Sequence, residues 1–349
     1  MIVSKIREEL ANHELGGVII TSKQNRRYVS GFTGSDGVAL ITLNGAFLFV
    51  DGRYTVQAGL ETAGFEIIEF KDNPYKLLDR FHIKNLGFED KMLSFSNYKS
   101  LKEALPKTSL HCCSWLFNEI RIIKTDDELS KIKKAVAVSD LAFSHILKFI
   151  KQGMTEIEVA VELEFFMRKN GAEGVSFDTI VASGHRSALP HGEPTDRKIM
   201  AGDMLLMDYG CVVEGYCSDM TRTIAIGEIS DEKRKIYETV KNAQQAGLDV
   251  IKNGQTCKMV DYLAREVIEN SGYGKSFTHA LGHGVGLEVH EEPRLSPKAK
   301  GNLGTGMVVT VEPGIYIRDL CGVRIEDLVC VTKDGYTNFT SSTKELIIL

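Results

Sequence analysis

Five residues in the C-terminal half of the chain have the types and spacing of a metal site: Asp208, Asp219, His283, Glu312 and Glu326. Asp208 and Glu312 lie in apolar, strand-like segments, so their carboxylates are expected to be buried. A buried carboxylate without a partner is strongly destabilising. Four carboxylates at one place also repel one another, and bound divalent cations are the simplest way to neutralise them.

The donor types predict both the metal and the reaction. Oxygen donors with one imidazole suit Mn²⁺, with Co²⁺, Zn²⁺ or Fe²⁺ as alternatives. The histidine disfavours a calcium site, and the lack of a thiolate pattern disfavours structural zinc. Two such ions about 3.5–4 Å apart would lower the pKa of a water between them and generate hydroxide near neutral pH. The five residues therefore predict a hydrolase centre with two metal ions.

Two histidines and an arginine accompany these ligands. His191 and His290 begin the similar segments HGEP and HEEP, and neither is needed for charge balance. They are candidates to bind a substrate carbonyl and to protonate a leaving amine. Arg324 stands two residues before Glu326, which predicts the same face of one strand. It is a candidate to orient the carboxylates or to contact substrate.

An internal repeat at an offset of about 100 residues would bring the ligands together. Segment 150–155, IKQGMT, matches segment 251–256, IKNGQT, and each leads into a predicted helix. Two similar halves that pack about a pseudo-twofold axis would merge their strands into one curved sheet covered by helices. Within the first half, a turn at Glu214-Gly215 would return the chain so that Asp219 lies near Asp208.

The chain before the repeat has a different organisation. Short apolar runs alternate with helical patterns through residues 1–122, which predicts a small α/β domain whose last strand covers residues 109–116. Asn44-Gly45 between two of these runs predicts a hairpin with a type I′ turn. Thr125-Asp-Asp-Glu128 is a capping box that opens a long helix. The second domain is therefore predicted to cover residues 123–349.

Composition and charge narrow the class of partner. The 349 residues include 42 Lys and Arg against 47 Asp and Glu, a formal net charge of −5. Without a basic stripe to neutralise phosphates, neither nucleic acid nor an anionic membrane is expected as a partner. The charged start of the chain is unlike a signal peptide, and the seven cysteines form no CxxC pair. Both features predict a cytoplasmic protein with reduced thiols.

The motifs resemble those of the pita-bread metallopeptidases, the family of methionine aminopeptidase, prolidase and aminopeptidase P. The resemblance rests on Asp208, Asp219, the GHGVG motif at His283, the VEPG motif at Glu312 and the VRIED motif at Glu326. The segments YVSGFTGSDG at 28–37 and VDGRY at 50–54 are similar to the creatinase-type N-terminal domain of the proline-specific branch. The resemblance implies an α/β N-terminal domain followed by an α+β pita-bread domain with a pseudo-twofold repeat.

The resemblance also implies a role for each metal ligand. Asp219 and Glu326 would bridge the two ions. Asp208 would complete one metal site, and His283 with Glu312 would complete the other. This division would give both ions protein ligands from the two halves of the repeat.

Further implications concern substrate and assembly. His191 and His290 match the substrate-binding and proton-transfer histidines of the family. Family members usually form dimers or larger assemblies in which the N-terminal domain restricts access to the active site. The resemblance therefore implies a homodimer that acts on short peptides with a free amino end and proline in the second position.

We predict a metal-dependent Xaa-Pro aminopeptidase, which removes an N-terminal residue when proline follows it. Xaa-Pro dipeptidase, or prolidase, is the alternative, because it shares the motifs and because loops and neighbouring subunits set substrate length. Methionine aminopeptidase is disfavoured by the N-terminal segments, and a creatinase-like amidinohydrolase by the retained metal ligands. A non-catalytic peptide-binding module on the same fold is a further alternative, against which the intact ligands argue.

Overall fold

The computed structural model describes residues 2–349. The chain divides into two compact units, one ending at Arg121 and the other beginning at Ile122. Each unit has its own hydrophobic core. Among the helices of residues 2–349, none is both long enough and apolar enough to cross a membrane.

The N-terminal unit is built on one mixed sheet. Its elements in chain order are α1 (Ile2–Asn12), β1 (Gly17–Ile20), α2 (Lys23–Ser30), β2 (Val38–Thr42), β3 (Ala46–Val50), α3 (Thr55–Glu61), β4 (Glu66–Glu69), a 3₁₀ helix (Pro74–Phe81), β5 (Asn85–Phe88), α4 (Phe95–Ala104), β6 (Ser109–Cys112) and α5 (Ser114–Ile122). The strand order is β4-β3-β2-β1-β5-β6. Strand β2 runs antiparallel to both neighbours, and the outer pairs are parallel. The predicted α/β domain is confirmed.

The strand predicted at 109–116 is too long. It ends at Cys112, and α5 begins at Ser114. The backbone N–H of Ser114 donates to the Asp90 carboxylate at 2.9 Å, which satisfies one of the free N–H groups of the first helical turn. An apolar run of this length fits a strand or a buried helix equally well, so the pattern alone does not separate them.

The hairpin at Asn44-Gly45 forms, but its turn is not type I′. Ile41 pairs with Ala46 across the hairpin, whereas neither Asn44 nor Gly45 adopts a positive φ. The hydroxyl of Thr42 instead accepts the backbone N–H of Gly45 at 2.9 Å. This side-chain contact closes the turn without left-handed residues.

The second unit contains the repeat. Its elements are α6 (Asp126–Phe149), α7 (Glu156–Lys169), β7 (Gly174–Val175), β8 (Ile180–Ser183), a 3₁₀ helix (Gly184–Ala188), β9 (Met204–Tyr209), β10 (Cys211–Val213), β11 (Tyr216–Cys217), β12 (Met220–Ala225), α8 (Asp231–Asp249), α9 (Cys257–Asn270), a 3₁₀ helix (Gly274–Ser276), β13 (Gly282–Gly284), β14 (Glu291–Leu295), β15 (Val308–Val311), β16 (Gly314–Ile317), β17 (Cys321–Arg324), β18 (Asp327–Val331) and β19 (Tyr336–Asn338). The capping box predicted at Thr125 and Glu128 opens α6.

The two halves of this unit repeat one topology. In the first half, helices α6 and α7 precede a sheet of order β12-β9-β8, with the hairpin β10–β11 inserted between β9 and β12. In the second half, α8 and α9 precede strands in the order β13-β15-β18, with the hairpin β16–β17 inserted between β15 and β18. The predicted pita-bread fold with an internal pseudo-twofold repeat is confirmed.

The equivalence of the halves extends to the helix ends. Thr155 and Thr256 cap α7 and α9, and each hydroxyl accepts the N–H of the third residue of its helix. A glycine in the left-handed region follows each helix, with φ of 101° at Gly171 and 88° at Gly272. Glycine adopts this conformation without steric cost, so it ends both helices at equivalent points.

The repeat places the predicted carboxylates at matching strand ends. Asp208 lies in β9, and Glu312 directly follows the equivalent strand β15. Asp219 directly precedes β12, and Glu326 directly precedes the equivalent strand β18. Antiparallel pairing of β9 with β12 and of β15 with β18 brings the members of each pair to one end of the sheet.

Candidate metal centre

The residues predicted to act together meet in one cavity of about 500 Å³. Its wall includes every residue predicted as a ligand or catalytic group: His191, Asp208, Asp219, His283, His290, Glu312, Arg324 and Glu326. Ligand atoms of Asp219, His283 and Glu326 all lie within 4.8 Å of one another. The His283 Nε2 nitrogen is 3.2 Å from Glu312 Oε1 and 3.6 Å from Asp219 Oδ2.

A hairpin brings Asp219 back toward Asp208, as the sequence predicts. Val213 pairs with Tyr216 in the β10–β11 hairpin. The two turn residues, Glu214 and Gly215, have φ of 50° and 85°. Two consecutive left-handed residues match the right-handed twist of the flanking strands. The chain therefore re-enters the sheet at β12 directly after Asp219.

Each half of the repeat supplies polar contacts to the carboxylates of the other. Thr221 of β12 donates its hydroxyl to Glu326 Oε2 at 2.7 Å. Arg324 of β17 donates to Asp208 Oδ2 at 2.5 Å. Register pairs Thr221 with Asp208 across β12 and β9, so these contacts form one continuous network. Such outer contacts fix the orientation of ligand carboxylates.

Two carboxylate oxygens in this network lack a partner among residues 2–349. Asp208 Oδ1 and Glu326 Oε1 are buried, and no N–H or O–H group of the described chain donates to them. Buried polar atoms are nearly always satisfied in folded proteins. Buried carboxylate oxygens beside an imidazole nitrogen are the donors that divalent metal ions bind. The residues present therefore fit a metal centre.

Burial makes the inner carboxylates hard to ionise without a cation. Burial, then the charge of Asp208, raises the pKa of Asp219 well above its usual range. Burial and the charge of Asp219 do the same to the pKa of Glu326. The pKa of Asp208 is also raised by burial, against the opposing charge of Arg324. Bound cations would favour the ionised carboxylates, so metal binding would release protons.

Glu312 and His283 behave as an ion pair. Burial disfavours the charged form of Glu312, but the hydrogen bond with His283 and the positive charges around it together outweigh burial and lower the pKa to about 2. Burial also disfavours a charged His283, yet the contacts with Glu312 raise its pKa to about 9. His283 Nδ1 lies 3.1 Å from the carbonyl oxygen of Gly284. A proton held there would leave Nε2 available to a cation.

His191 and His290 lie in the exposed part of the cavity wall. The ring centroid of His290 is 4.3 Å from that of His283. Partial burial and the positive charge of His283 lower the pKa of His290 to about 4. Both histidines are thus accessible to a molecule that enters the cavity.

Arg324 holds the Asp208 carboxylate from the buried side of the site. Its side chain is 4% exposed and donates to Asp208, to the Tyr316 hydroxyl at 2.7 Å and to the Thr221 hydroxyl at 3.1 Å. It also donates to the carbonyl oxygen of Pro190, beside His191. The prediction that Arg324 shares a strand with Glu326 is wrong, because β17 ends at Arg324 and β18 begins after Glu326.

Several contacting residues are not predicted by the sequence. His279 Nε2 lies 2.9 Å from the hydroxyl of Tyr316, and His279 is the fourth histidine in the cavity wall. Thr310 donates its hydroxyl to Glu312 at 3.1 Å. Thr310 and Thr221 each stand two residues from a predicted ligand. Side chains two residues apart on a strand lie on the same face, so this spacing would have identified both threonines from the sequence.

Arg294 is a further cation in the cavity wall. It lies on β14 and pairs in register with His283 of β13. Its side chain is exposed and forms no hydrogen bond or ion pair with another residue of the described chain. A guanidinium without an internal partner is available to the carboxylate of a ligand.

Comparison with known proteins identifies related sequences. Residues 130–333 match metallopeptidase family M24, and residues 3–123 match the creatinase/prolidase N-terminal domain. The chain is 40% identical to a protein of Pyrococcus horikoshii named Xaa-Pro dipeptidase, over 99% of this chain and 98% of that protein.

Solved structures show the same fold. The structure named Xaa-Pro dipeptidase from Bacillus anthracis has a TM-score of 0.96 and 45% identity, covering 100% of this chain and 99% of that one. The structure named X-Pro aminopeptidase from Thermotoga maritima has a TM-score of 0.91 and 39% identity, covering 98% of this chain and 99% of that one. The likeness therefore includes both the N-terminal unit and the unit with the candidate metal centre.

Proposed function

We propose that this chain, which belongs to metallopeptidase family M24, is a metal-dependent Xaa-Pro dipeptidase, or prolidase. Its substrate would be a dipeptide with proline as the second residue. The motifs alone predict an Xaa-Pro aminopeptidase with the dipeptidase as the alternative. Relatives named Xaa-Pro dipeptidase, at 40% and 45% identity over nearly the whole chain, favour that alternative.

The presence of Arg294 in the cavity wall is the observation that favours a dipeptide substrate. Its guanidinium lines the same cavity as the five predicted metal ligands. An Xaa-Pro dipeptide ends in a free carboxylate directly after proline, whereas a longer peptide has a neutral amide there. Arginine binds carboxylates through charge-assisted and often bidentate hydrogen bonds. The cavity is therefore suited to a substrate that ends at proline.

We assign two divalent ions to the metal centre, held by Asp208, Asp219, His283, Glu312 and Glu326. Asp219 and Glu326 come from equivalent positions of the two halves and would be the ligands shared by both ions. Mn²⁺ is the proposed metal, and Co²⁺, Zn²⁺ and Fe²⁺ are compatible with the same donors. When bound, the ions would lower the pKa of water and polarise the substrate carbonyl.

Side chains of the protein would bind the substrate and transfer the proton. Hydrolysis forms a C–O bond at the carbonyl carbon and breaks the C–N bond to proline, whose nitrogen takes up a proton. We assign the delivery of this proton and the binding of the carbonyl oxygen to His191 and His290. Arg324 acts from the buried side, where it holds Asp208 in place and donates a second hydrogen bond to the Tyr316 hydroxyl.

Xaa-Pro aminopeptidase is the second candidate function. The relative from Thermotoga maritima that is named X-Pro aminopeptidase supports it, at 39% identity. The two activities would share the metal centre and the proton-transfer histidines. Their substrates differ: a dipeptidase substrate ends at proline, whereas an aminopeptidase substrate continues beyond it.

We also propose a cytoplasmic homodimer. All seven cysteines lie within the described residues and are free thiols, which suits a reducing compartment. The homodimer follows from the family resemblance, and sedimentation equilibrium of the purified protein would test it. A monomer at micromolar concentration would contradict this part of the proposal.

A direct assay separates the two peptidase activities. The protein is stripped with a chelator, reloaded with Mn²⁺ and given Ala-Pro, Ala-Pro-amide and Arg-Pro-Pro. We expect kcat/KM for Ala-Pro to exceed that for its amide by at least about tenfold, because only the free acid offers a carboxylate to Arg294. Equal or faster cleavage of Arg-Pro-Pro would contradict the dipeptidase and support the aminopeptidase.

A further inference from the structure

A buried ion pair lies next to the segment that carries His290. The Lys124 ammonium is 3.1 Å from Glu291 Oε2, and the two side chains are 1% and 7% exposed. The partners are 167 residues apart in sequence. Neither side chain belongs to the cavity wall, so the pair has no direct part in metal or substrate binding.

Lys124 is held firmly at its backbone. Its N–H donates to the carbonyl oxygen of Gly306 at 2.9 Å. The next residue, Thr125, is the N-cap of α6 and takes part in the capping box. The ammonium of Lys124 therefore extends from a fixed point of the second unit.

Glu291 organises the loop before it. It directly follows His290, and its Oε1 oxygen accepts the backbone N–H of Glu288 at 3.2 Å. A Cβ atom on Gly286 would lie 2.6 Å from both carboxylate oxygens of Glu291. The loop is thus closely packed around this carboxylate, and only glycine leaves the room at that point.

Strand pairing alone does not fix the backbone at His290. Strands β13 and β14 pair with a register shift between His283 and Gly284, and Gly284 lies opposite Glu291. A shift of this kind leaves the ladder locally disrupted and redirects side chains. His290 directly precedes Glu291, and its ring lies next to that of His283, with 4.3 Å between the ring centroids.

We propose that Lys124 and Glu291 are positioning residues whose buried ion pair holds His290 in its working orientation at the cavity. The inference rests on the proposed peptidase activity, in which His290 acts on substrate. Loss of the pair would act through His290, since neither partner touches the reacting atoms. A displacement of about 1 Å in a catalytic group can cost about 100-fold in rate.

Lys124→Met and the double variant Lys124→Met/Glu291→Gln test this role. The single change removes the ammonium beside the buried Glu291 carboxylate, which is destabilising, whereas the double change removes both charges. We expect both variants to lose at least about tenfold in kcat on Ala-Pro, with KM changed by less than about threefold and bound Mn²⁺ unchanged. Lys134→Met is the control, because Lys134 of α6 forms an exposed pair with Glu214 in the β10–β11 turn. Parental kcat in the folded double variant would overturn the proposal.

A double-mutant cycle with His290→Ala separates positioning from general stability. If Lys124 acts through His290, Lys124→Met has no further effect on kcat once His290 is alanine. An equal loss in both backgrounds would overturn the proposal.

Hydrogen exchange gives a readout that does not depend on activity. We expect the backbone amides of residues 285–291 to exchange faster in Lys124→Met, measured by mass spectrometry. Unchanged exchange in this segment would contradict the role of the ion pair. A parental protein inactive on every Xaa-Pro substrate would instead contradict the proposed function, while the exchange result would still decide the role of the pair.

Discussion

Arg324 of β17 donates a hydrogen bond of 2.5 Å to Oδ2 of Asp208 in β9, across 116 residues of sequence. Both side chains are largely buried, at 4% and 12% exposure. The bond joins the two halves of the repeat and leaves Asp208 Oδ1 without a donor among the described residues. The second half therefore orients a proposed metal ligand that the first half supplies.

Replacing Arg324 by methionine removes this orientation. We expect Mn²⁺ affinity and kcat each to fall by about 10- to 100-fold, because contacts to a ligand of this kind contribute that much. Titration of the metal-free protein with Mn²⁺ and steady-state kinetics measure the two effects. Arg318→Met is the control on the same hairpin, since Arg318 is 95% exposed. Parental metal affinity in Arg324→Met would contradict the orienting role.

Asp219→Asn replaces a proposed bridging carboxylate by a neutral group of the same shape. We expect turnover of Ala-Pro to fall by at least about 10³-fold, because generation of the nucleophile depends on both ions. Asp334→Asn, at an exposed position, should remain as active as the parent. Substantial activity in Asp219→Asn with only one ion bound would show that Asp219 is not an essential bridge.

His290→Ala separates metal binding from proton transfer. We expect a loss of about 10²- to 10⁴-fold in kcat, the usual contribution of a general acid or base. The metal content, measured by elemental analysis, should stay at the parental value. His111→Ala in the N-terminal unit, an exposed histidine, is the control. Loss of metal in His290→Ala would assign this residue to the metal centre instead.

Arg294→Ala should act on dipeptides selectively. We expect KM for Ala-Pro to rise by about 10- to 100-fold, which corresponds to a charged hydrogen bond of about 1.5–3 kcal/mol. The KM for Ala-Pro-amide should change little, because the amide has no carboxylate to lose. Lys298→Ala is the neighbouring exposed control. An equal rise for both substrates would remove Arg294 from carboxylate recognition.

Metal removal should destabilise the protein more strongly as the pH rises. Burial raises the pKa of Asp219 and of Glu326, so the folded metal-free protein holds these protons more tightly than the unfolded chain does. Its stability therefore falls as the pH rises above the usual carboxylate pKa of about 4. Bound metal replaces the protons and removes this penalty.

Thermal unfolding with and without Mn²⁺ measures this effect. We expect the difference in Tm between the loaded and the metal-free protein to widen from about pH 5 to pH 8. At a free metal concentration of 100 times Kd, binding alone adds about 2.7 kcal/mol. A difference in Tm that stays constant over this range would contradict the buried, proton-linked site.

The sequence predicts the convergence of the five candidate metal ligands because two independent patterns agree. Asp208 and Glu312 lie in or next to apolar strands, and the internal repeat relates those strands to each other. Both patterns are local features that a single chain displays. They suffice to place the carboxylates at one end of equivalent strand pairs.

Other features depend on contacts that sequence periodicity does not encode. Tyr316 and His279 meet through hairpin geometry, and Arg294 reaches the cavity through the irregular pairing of β13 and β14. The sequence predicts a strand for the first residues of helix α5, because the run at 109–116 has no decisive period. The motifs also do not predict substrate length, because the proposed preference for dipeptides rests on Arg294 rather than on the metal ligands.

Crystals grown with Mn²⁺ and examined by anomalous scattering at the manganese edge test the central claim most directly. We predict two anomalous peaks about 3.5–4 Å apart, in contact with Asp208, Asp219, His283, Glu312 and Glu326. Peaks elsewhere, or no peak between these side chains at saturating Mn²⁺, would contradict it.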